Sequence, residues 1–524
     1  MRLKTTVQVI RNVLSNWGSF AIGAVIGFLM MPFLVHRLGD TQYGIWVLIM
    51  NFTGYLGLFD LGVSGSVVKY VAEFKAKRDQ HSLNQVCSAA YYIYLVAGIC
   101  AFGISLVLAF YFVHLFKIPS ETITDARIVT IIVGLQIGLT LPFSFFTGFM
   151  RGMQRYDLVA LISVVILLVR SICIVIFVLY GYGLVTLALI HLGSTILGGC
   201  IRTFYVYQSN PGLKLTVTLI NKEKLRLVSG YSVLIFLYYV ASRMIFATQS
   251  FVIAYFLAAA VVTLYAIPQR LVEDMRVVIM ATGVLQPTVS HLDAEGKNEI
   301  VQRLLISGTK YTLMIVLPIA VSYVVVGYEF ISLWMGPYYA SASYATLVIL
   351  TIAMVAHISQ FTTTQILQGI AKHGCVTYIA IGEGITNFVL SLLLVQKYGM
   401  IGVAFGTMIP MLITNLLIIP MYACRTLTLS MFYFLKESFV RPFLAAFSFA
   451  IILYGMSRII GLQTWPKLIF LLAIGLACYG TIAWFLCLTK EERNTRWGEL
   501  MTVLKPALTI TGVESLLARS RGEK

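Results

Sequence analysis

The sequence predicts an all-α polytopic membrane protein, and three observations carry that prediction. Hydrophobic residues fill 59% of the 524 positions and charged residues only 11%, a balance that no soluble globular surface holds. The apolar residues gather into runs of about 20, the length that crosses ~30 Å of hydrocarbon at 1.5 Å per residue. The short alternating segments of a β-barrel are absent, and 41 glycines with 13 prolines fit broken, closely packed helices instead.

Fourteen such runs follow one another. The first, 15–36, is preceded by Arg2, Lys4 and Arg11 in the manner of a secretory leader, but it is too long and lacks a small-residue cleavage site, so it reads as a retained helix. The second, 43–66, leaves a turn at Leu38–Gly44 and ends on the basic stretch Lys69–Arg78. Runs 87–112, 127–149, 157–179 and 184–206 are divided by turns at Lys117, at Arg151–Arg155 and at Gly181–Gly183. Runs 229–254 and 263–286 bracket the turn at Leu257, and 311–331, 345–366, 375–396, 401–421, 442–460 and 467–488 complete the set. The segment 500–517 is apolar enough to lie along a membrane surface.

The formal charge of +17 is a record of orientation rather than of a nucleic-acid partner. One set of connections holds 27 Lys and Arg and the opposite set only 5, so both termini are expected in the cytoplasm of a prokaryotic cell, with the chain in its inner membrane. An internal echo supports the count. Gly152 leads through one run to Tyr182 after 30 residues, and Gly369 leads through another to Tyr398 after 29, each from a basic turn to a Tyr-Gly turn. A second echo pairs Leu38…Tyr43-Gly44 with Leu257…Tyr265-Ala266. Residues 1–210 and 211–425 are therefore expected to form two six-helix lobes related by a pseudo-two-fold along the membrane normal, followed by two additional helices in 426–490 and a tail in 491–524.

The stretches MMPFLVHRLGDTQYGIW (30–46), GLFDLGVSGSVVKYVAEF (57–74), VIAYFLAAAVVTLYAIPQRL (252–271), LWMGPYYASAS (333–343), LQGIAKHG (367–374) and GEGITNFVLSLLLVQKYGMIGVAFGT (382–407) resemble the polysaccharide transporters of the multidrug/oligosaccharidyl-lipid/polysaccharide flippase superfamily over roughly 1–490. These are turn and packing signatures, and their number and order make the resemblance specific. It implies a fourteen-helix flippase that moves a polyprenyl-diphosphate-linked oligosaccharide from the inner to the outer leaflet by alternating access, with H⁺ or Na⁺ as candidate coupling ions and a polysaccharide polymerase as a candidate associate. Many relatives carry an acid near Ser242-Arg243, so a coupling role for that acid does not transfer.

Charges within the runs mark the candidate site, since an ionised group at mid-bilayer costs ~2.5–3.5 kcal/mol even on the mildest scale. Arg243 lies about 21 Å along the seventh run and Arg270 about 11 Å along the eighth, and Arg170 sits at comparable depth in the fifth. With Arg276 they are candidates to line a cationic cavity that holds a diphosphate, because the guanidinium fork donates two parallel hydrogen bonds and stays charged when dehydrated. The competing reading is self-pairing: Glu273 and Asp274 are one turn from Arg270, and Glu273 is one turn from Arg276. Asp60 and Glu383 are candidate ion-coupling carboxylates, with a packing turn as the alternative at Asp60. Pro268 is a candidate hinge. Arg202 reads as snorkelling, Gly23 and Gly27 as packing, and His357 as a packed polar residue.

No Gly-xxxx-Gly-Lys-Ser/Thr loop, His-Glu-x-x-His or Cys-x-x-Cys occurs, so no cofactor is expected and an enzyme is disfavoured. The short loops leave no room for a membrane polymerase site. A drug or cation antiporter of the same superfamily would need an acid-lined interior.

Overall fold

The computed structural model of the protein describes residues 2–60, 62–221, 223–225, 233–280, 285–372, 374–490 and 492–493, with side chains from residue 18 onward except 112–114, 233–235, 277–280 and 287. Among these residues there is no strand, and eleven helical stretches are long and apolar enough to cross a membrane. The segment 500–517 and the starts or ends of the expected runs at 229–232 and 281–284 lie outside the described residues.

Two of the eleven stretches are helix pairs. α1 (Arg2–Leu56) turns at Gly39, whose φ of 81° and ψ of 162° are open to glycine and strained for other residues. The expected run 43–66 is shorter in the fold: the helix stops at Leu56, a 3₁₀ turn covers Gly57–Asp60, and α2 (Val63–Lys77) starts afresh after Gly62 at φ 76°. α3 (Gln80–Leu115), α4 (Ile123–Gly152), α5 (Tyr156–Leu179) and α6 (Leu184–Ser209) complete the first half. The second half holds α7 (Val233–Phe256), α8 (Ala259–Met280), α9 (Leu285–Ala294), α10 (Asn298–Trp334), α11 (Pro337–Ser359), α12 (Phe361–Gly369) and α13 (Gly374–Ile413). α13 repeats the device of α1, breaking at Gly399 with φ 58°. A π-helical turn, Thr414–Ile418, links it to α14 (Ile419–Thr426). The short α15 (Met431–Leu435) precedes α16 (Arg441–Ile460) and α17 (Trp465–Leu486), which pack on α10 through Phe449, Leu453 and Leu471. α8 is not among the eleven because Arg270, Glu273, Asp274 and Arg276 interrupt its apolar character.

The halves meet where the two echoed turns face each other. The Gly44 Cα lies against the Ala259 carbonyl so closely that no side chain fits between them. Thr263 Oγ1 donates to the Asp40 carbonyl at 2.6 Å, the Tyr339 hydroxyl to the Asp40 carboxylate at 2.7 Å, and Lys117 Nζ to the Phe256 carbonyl at 2.8 Å. This end of the molecule is closed.

Prolines within helices tie neighbouring helices together. A proline at i leaves the carbonyl at i−4 without its helical donor, and in a membrane some other group must supply one. Pro32 frees the Phe28 carbonyl, which accepts from Trp334 Nε1 at 3.0 Å. Pro268 frees Leu264, which accepts from Ser343 Oγ at 2.7 Å, and Pro318 frees Met314, which accepts from the Tyr479 hydroxyl at 2.9 Å. α8 continues in helical form through Pro268, the candidate hinge.

Candidate functional site

A cavity of about 860 Å³ lies between the halves, walled by both limbs of α1, by α5 and α6, and by α8. Arg270 reaches it because Gly27 makes room: a Cβ at Gly27 would lie 2.6 Å from the Arg270 Nη2. The glycine read as a packing residue is thus the seat of the guanidinium. Arg270 also pairs with Asp274 at 3.1 Å, and Arg276 pairs with Glu273 at 2.8 Å. Arg270, Glu273 and Asp274 thus line the cavity while Arg270 is paired with Asp274 and Glu273 with Arg276. Arg151 lines the same cavity from the end of α4, and Asn51, Ser163, His191 and Gln269 add further polar side chains.

Arg243, on α7, meets the second limb of α1. Its Nη1 would be 3.0 Å from a Cβ at Gly54, on the second limb of α1, so each limb offers one glycine to one arginine of the opposite half. Around it the Tyr55 hydroxyl meets the Arg243 carbonyl at 3.0 Å and Thr248 Oγ1 at 2.7 Å, while Asn51 Nδ2 donates to Ser250 Oγ at 2.8 Å. Arg243 is exposed and has no ion-pair partner among the described residues.

Glu383 lies elsewhere, deep in the second half. It is 4% exposed, and one carboxylate oxygen accepts from Thr414 Oγ1 and from Asn415 Nδ2, the latter at 3.2 Å, while Oε1 has no partner among the described residues. It lines a cavity of about 290 Å³ together with Arg276, His357, Tyr238, Tyr239 and Gln365. The His357 ring is within hydrogen-bonding reach of Asn415, and its Nδ1 is buried and unpartnered. Sequence reasoning singled out Glu383 and read His357 as a packed polar residue, but passed over Thr414 and Asn415. The signal it lacked was the π-helical turn, which sets Thr414 and Asn415 side by side on the carboxylate.

Asp60 closes the 3₁₀ turn before α2, accepting from the Tyr94 hydroxyl and from the Ser64 backbone N–H. It sits in the helix–turn–helix junction anticipated as its packing alternative. Arg170 is on α5, in a side cleft of the first half, away from Arg243 and Arg276. The four candidate arginines thus occupy four surroundings, and only Arg270 lies in the wall of the central cavity.

A helical membrane bundle in two halves around a central polar cavity is the architecture of a membrane transporter. Residues 9–293 match the family model described as "Polysaccharide biosynthesis protein", and the chain belongs to that family. It is 21% identical over 79% of its length, and 97% of the relative's, to a putative O-antigen transporter of Shigella flexneri. It is 22% identical over 77% of its length, and 81% of the relative's, to the probable flippase AglR of Haloferax volcanii. Its fold superposes on the lipid II flippase MurJ in an inward closed conformation with a TM-score of 0.70, at 16% identity, covering 91% of this chain and 98% of that one. The protein is a multi-pass membrane protein of a polysaccharide-biosynthesis family.

Proposed function

We propose that the protein flips a polyprenyl-diphosphate-linked oligosaccharide from the inner to the outer leaflet of a prokaryotic cytoplasmic membrane by alternating access. The carrying observation is the 860 Å³ cavity between the halves with Arg270 seated against Gly27 in its wall. A diphosphate entering the cavity competes with Asp274 for Arg270, so the charge that faces the substrate is already solvated by a carboxylate when the cavity is empty. The closed end at Gly44 and Ala259 is the outer end in the orientation expected from the basic residues, which makes this an inward-facing or occluded state. Two limbs for α1, two for α13 and one for α8 support fourteen spans, and the facing of Gly44 with Ala259 supports the pseudo-two-fold between lobes 1–210 and 211–425. Residues 426–490 then form the additional pair, and the tail from 491 shares the cytoplasmic side with the N-terminus.

Glu383, with Thr414, Asn415 and His357, is the coupling site in this reading, taking H⁺ or Na⁺ as the second lobe rearranges. An association with polymerase machinery would use the outer face, where product is released. A cation antiporter would need free acids in the cavity, and both Glu273 and Asp274 are held by arginines. The test is R270A in cells: lipid-linked oligosaccharide is expected to accumulate on the inner leaflet while the protein remains in the membrane. Unimpaired export by that variant would remove the basis of the proposal.

A further inference from the structure

Among the described residues of the first half, Arg170 and Arg202 have no carboxylate partner. A cleft of about 250 Å³ is enclosed by α4, α5 and α6 and lined by Arg170, Arg202 and the hydroxyls of Thr140, Ser144, Thr147 and Thr195, with no carboxylate. Among the described residues Arg170 has no hydrogen-bond or ion-pair partner, and Arg202 has one, Nη2 to Ser163 Oγ at 3.1 Å, while its Nε is buried and unpartnered. Leaving a guanidinium so poorly satisfied at about 20 Å depth along a helix is costly, and snorkelling does not relieve it. Both side chains point inward. The exposed face of α5 is Leu161, Val165, Leu168 and Ile172, and Ser163, Ile166 and Arg170 fall on the opposite face; on α6, Ile196, Ile201 and Phe204 are exposed and His191, Thr195 and Arg202 lie opposite.

We propose that this cleft is a second oxyanion-binding station, distinct from the Arg270 wall, that takes a phosphate or diphosphate group arriving through the central cavity. Ser163 is the junction, since it lines the central cavity and holds Arg202. The volume is many times the ~10–15 Å³ that one water needs, so a dehydrated phosphate group fits. Guanidinium forks donate to its oxygens, and the hydroxyls of Thr140, Ser144 and Thr195, now donating to carbonyls of their own helices, can turn toward it. A phosphate held there is moved sideways from the lobe interface, which keeps it inside the first half while the halves rearrange.

The experiment counts ligands on the full chain in zwitterionic nanodiscs by native mass spectrometry, using farnesyl diphosphate and inorganic pyrophosphate as probes. The wild type is expected to bind two farnesyl diphosphates. R170Q/R202Q is expected to weaken one of them at least about tenfold and leave the other, and R270Q is expected to affect only the other. Loss confined to farnesyl diphosphate supports a lipid-borne phosphate, and loss of both probes supports recognition of the oxyanion alone. Wild-type binding of both probes by an R170Q/R202Q protein that melts like the wild type overturns the station and leaves the Arg270 reading intact. Should R170Q/R202Q fail to fold, R170K/R202K keeps the charges without the fork, and undiminished affinity in that protein overturns the proposal equally.

Discussion

At the scale of single residues, a side chain that is missing matters as much as one that is present. Gly27 and Arg270 act as a unit, because a methyl group at position 27 would meet Nη2 at 2.6 Å and push the guanidinium out of its seat. G27A is therefore expected to reproduce much of the transport defect of R270A, with a melting temperature near that of the wild type, because the far end of a flexible side chain can move aside. Transport assays with purified protein of both variants check this, and normal transport by G27A would detach Arg270 from function. Arg270, Arg276, Glu273 and Asp274 were all legible in the sequence as candidates, since helical spacing alone brings i+3 and i+4 partners together. Which arginines share a cavity was not legible. Arg170 and Arg270 have similar depths, and depth says nothing about the direction a helix faces until its neighbours are placed.

At the scale of elements, Pro32, Pro268 and Pro318 are fastened rather than loose. Ser343 donates to the carbonyl that Pro268 frees, so S343A leaves a part-buried carbonyl unpaired and is expected to cost about 1–3 kcal/mol. Adding P268A restores an N–H within α8 and is expected to recover most of that loss, a coupling that thermal melts of the single and double variants measure. A Pro268 that serves as an independent hinge would show no such recovery. Thr489 and Glu492, after the last helix, are fastened in another way. Thr489 and Glu492 cap one another, with N–H to side-chain distances of 2.8 and 3.2 Å, and Glu492 accepts from the buried Lys310 at 2.7 Å and from the Tyr311 hydroxyl at 3.0 Å. Partial burial raises the Glu492 pKa, but the Lys310 and Thr489 hydrogen bonds and the Lys310 charge outweigh it and bring it down to about 2. A folded-state pKa below the ordinary 4.5 gives stability that is complete above 4.5 and is lost as pH falls toward about 2. The destabilisation caused by E492Q is accordingly expected to be the same at about pH 8 and pH 5 and to shrink below 4.5, as read from melting in detergent. The Thr489–Glu492 pair is local, but its partner Lys310 is 182 residues away and only packing of the last helices on α10 brings them together.

At the scale of the whole molecule, the proposed alternating access requires that the contact at Gly44 and Ala259 open and close. Helix lengths, their order and the echo between Leu38–Gly44 and Leu257–Ala266 were readable because bilayer thickness and turn chemistry act on local sequence. The close approach of those two turns was not, since nothing local announces that one glycine will meet the carbonyl of another segment. Substituting Gly44 by valine places a branched side chain where the Ala259 carbonyl now lies, and the cost falls on the closed end alone. G44V is thus expected to favour the conformation open at that end, while the cavity wall at Arg270 keeps its chemistry. The measurement is labelling of a cysteine at Asn51, which lines the cavity, by a membrane-impermeant maleimide added to intact cells. In the wild type, with Thr263, Tyr339 and Lys117 closing the end, labelling is expected to be slow, and in G44V it is expected to rise severalfold as transport falls. D40N/Y339F, which keeps the small residues and weakens only polar closure, is expected to lie between them. Rapid transport by G44V with unchanged labelling would mean that this contact is static, and the two halves would then have to move about some other line.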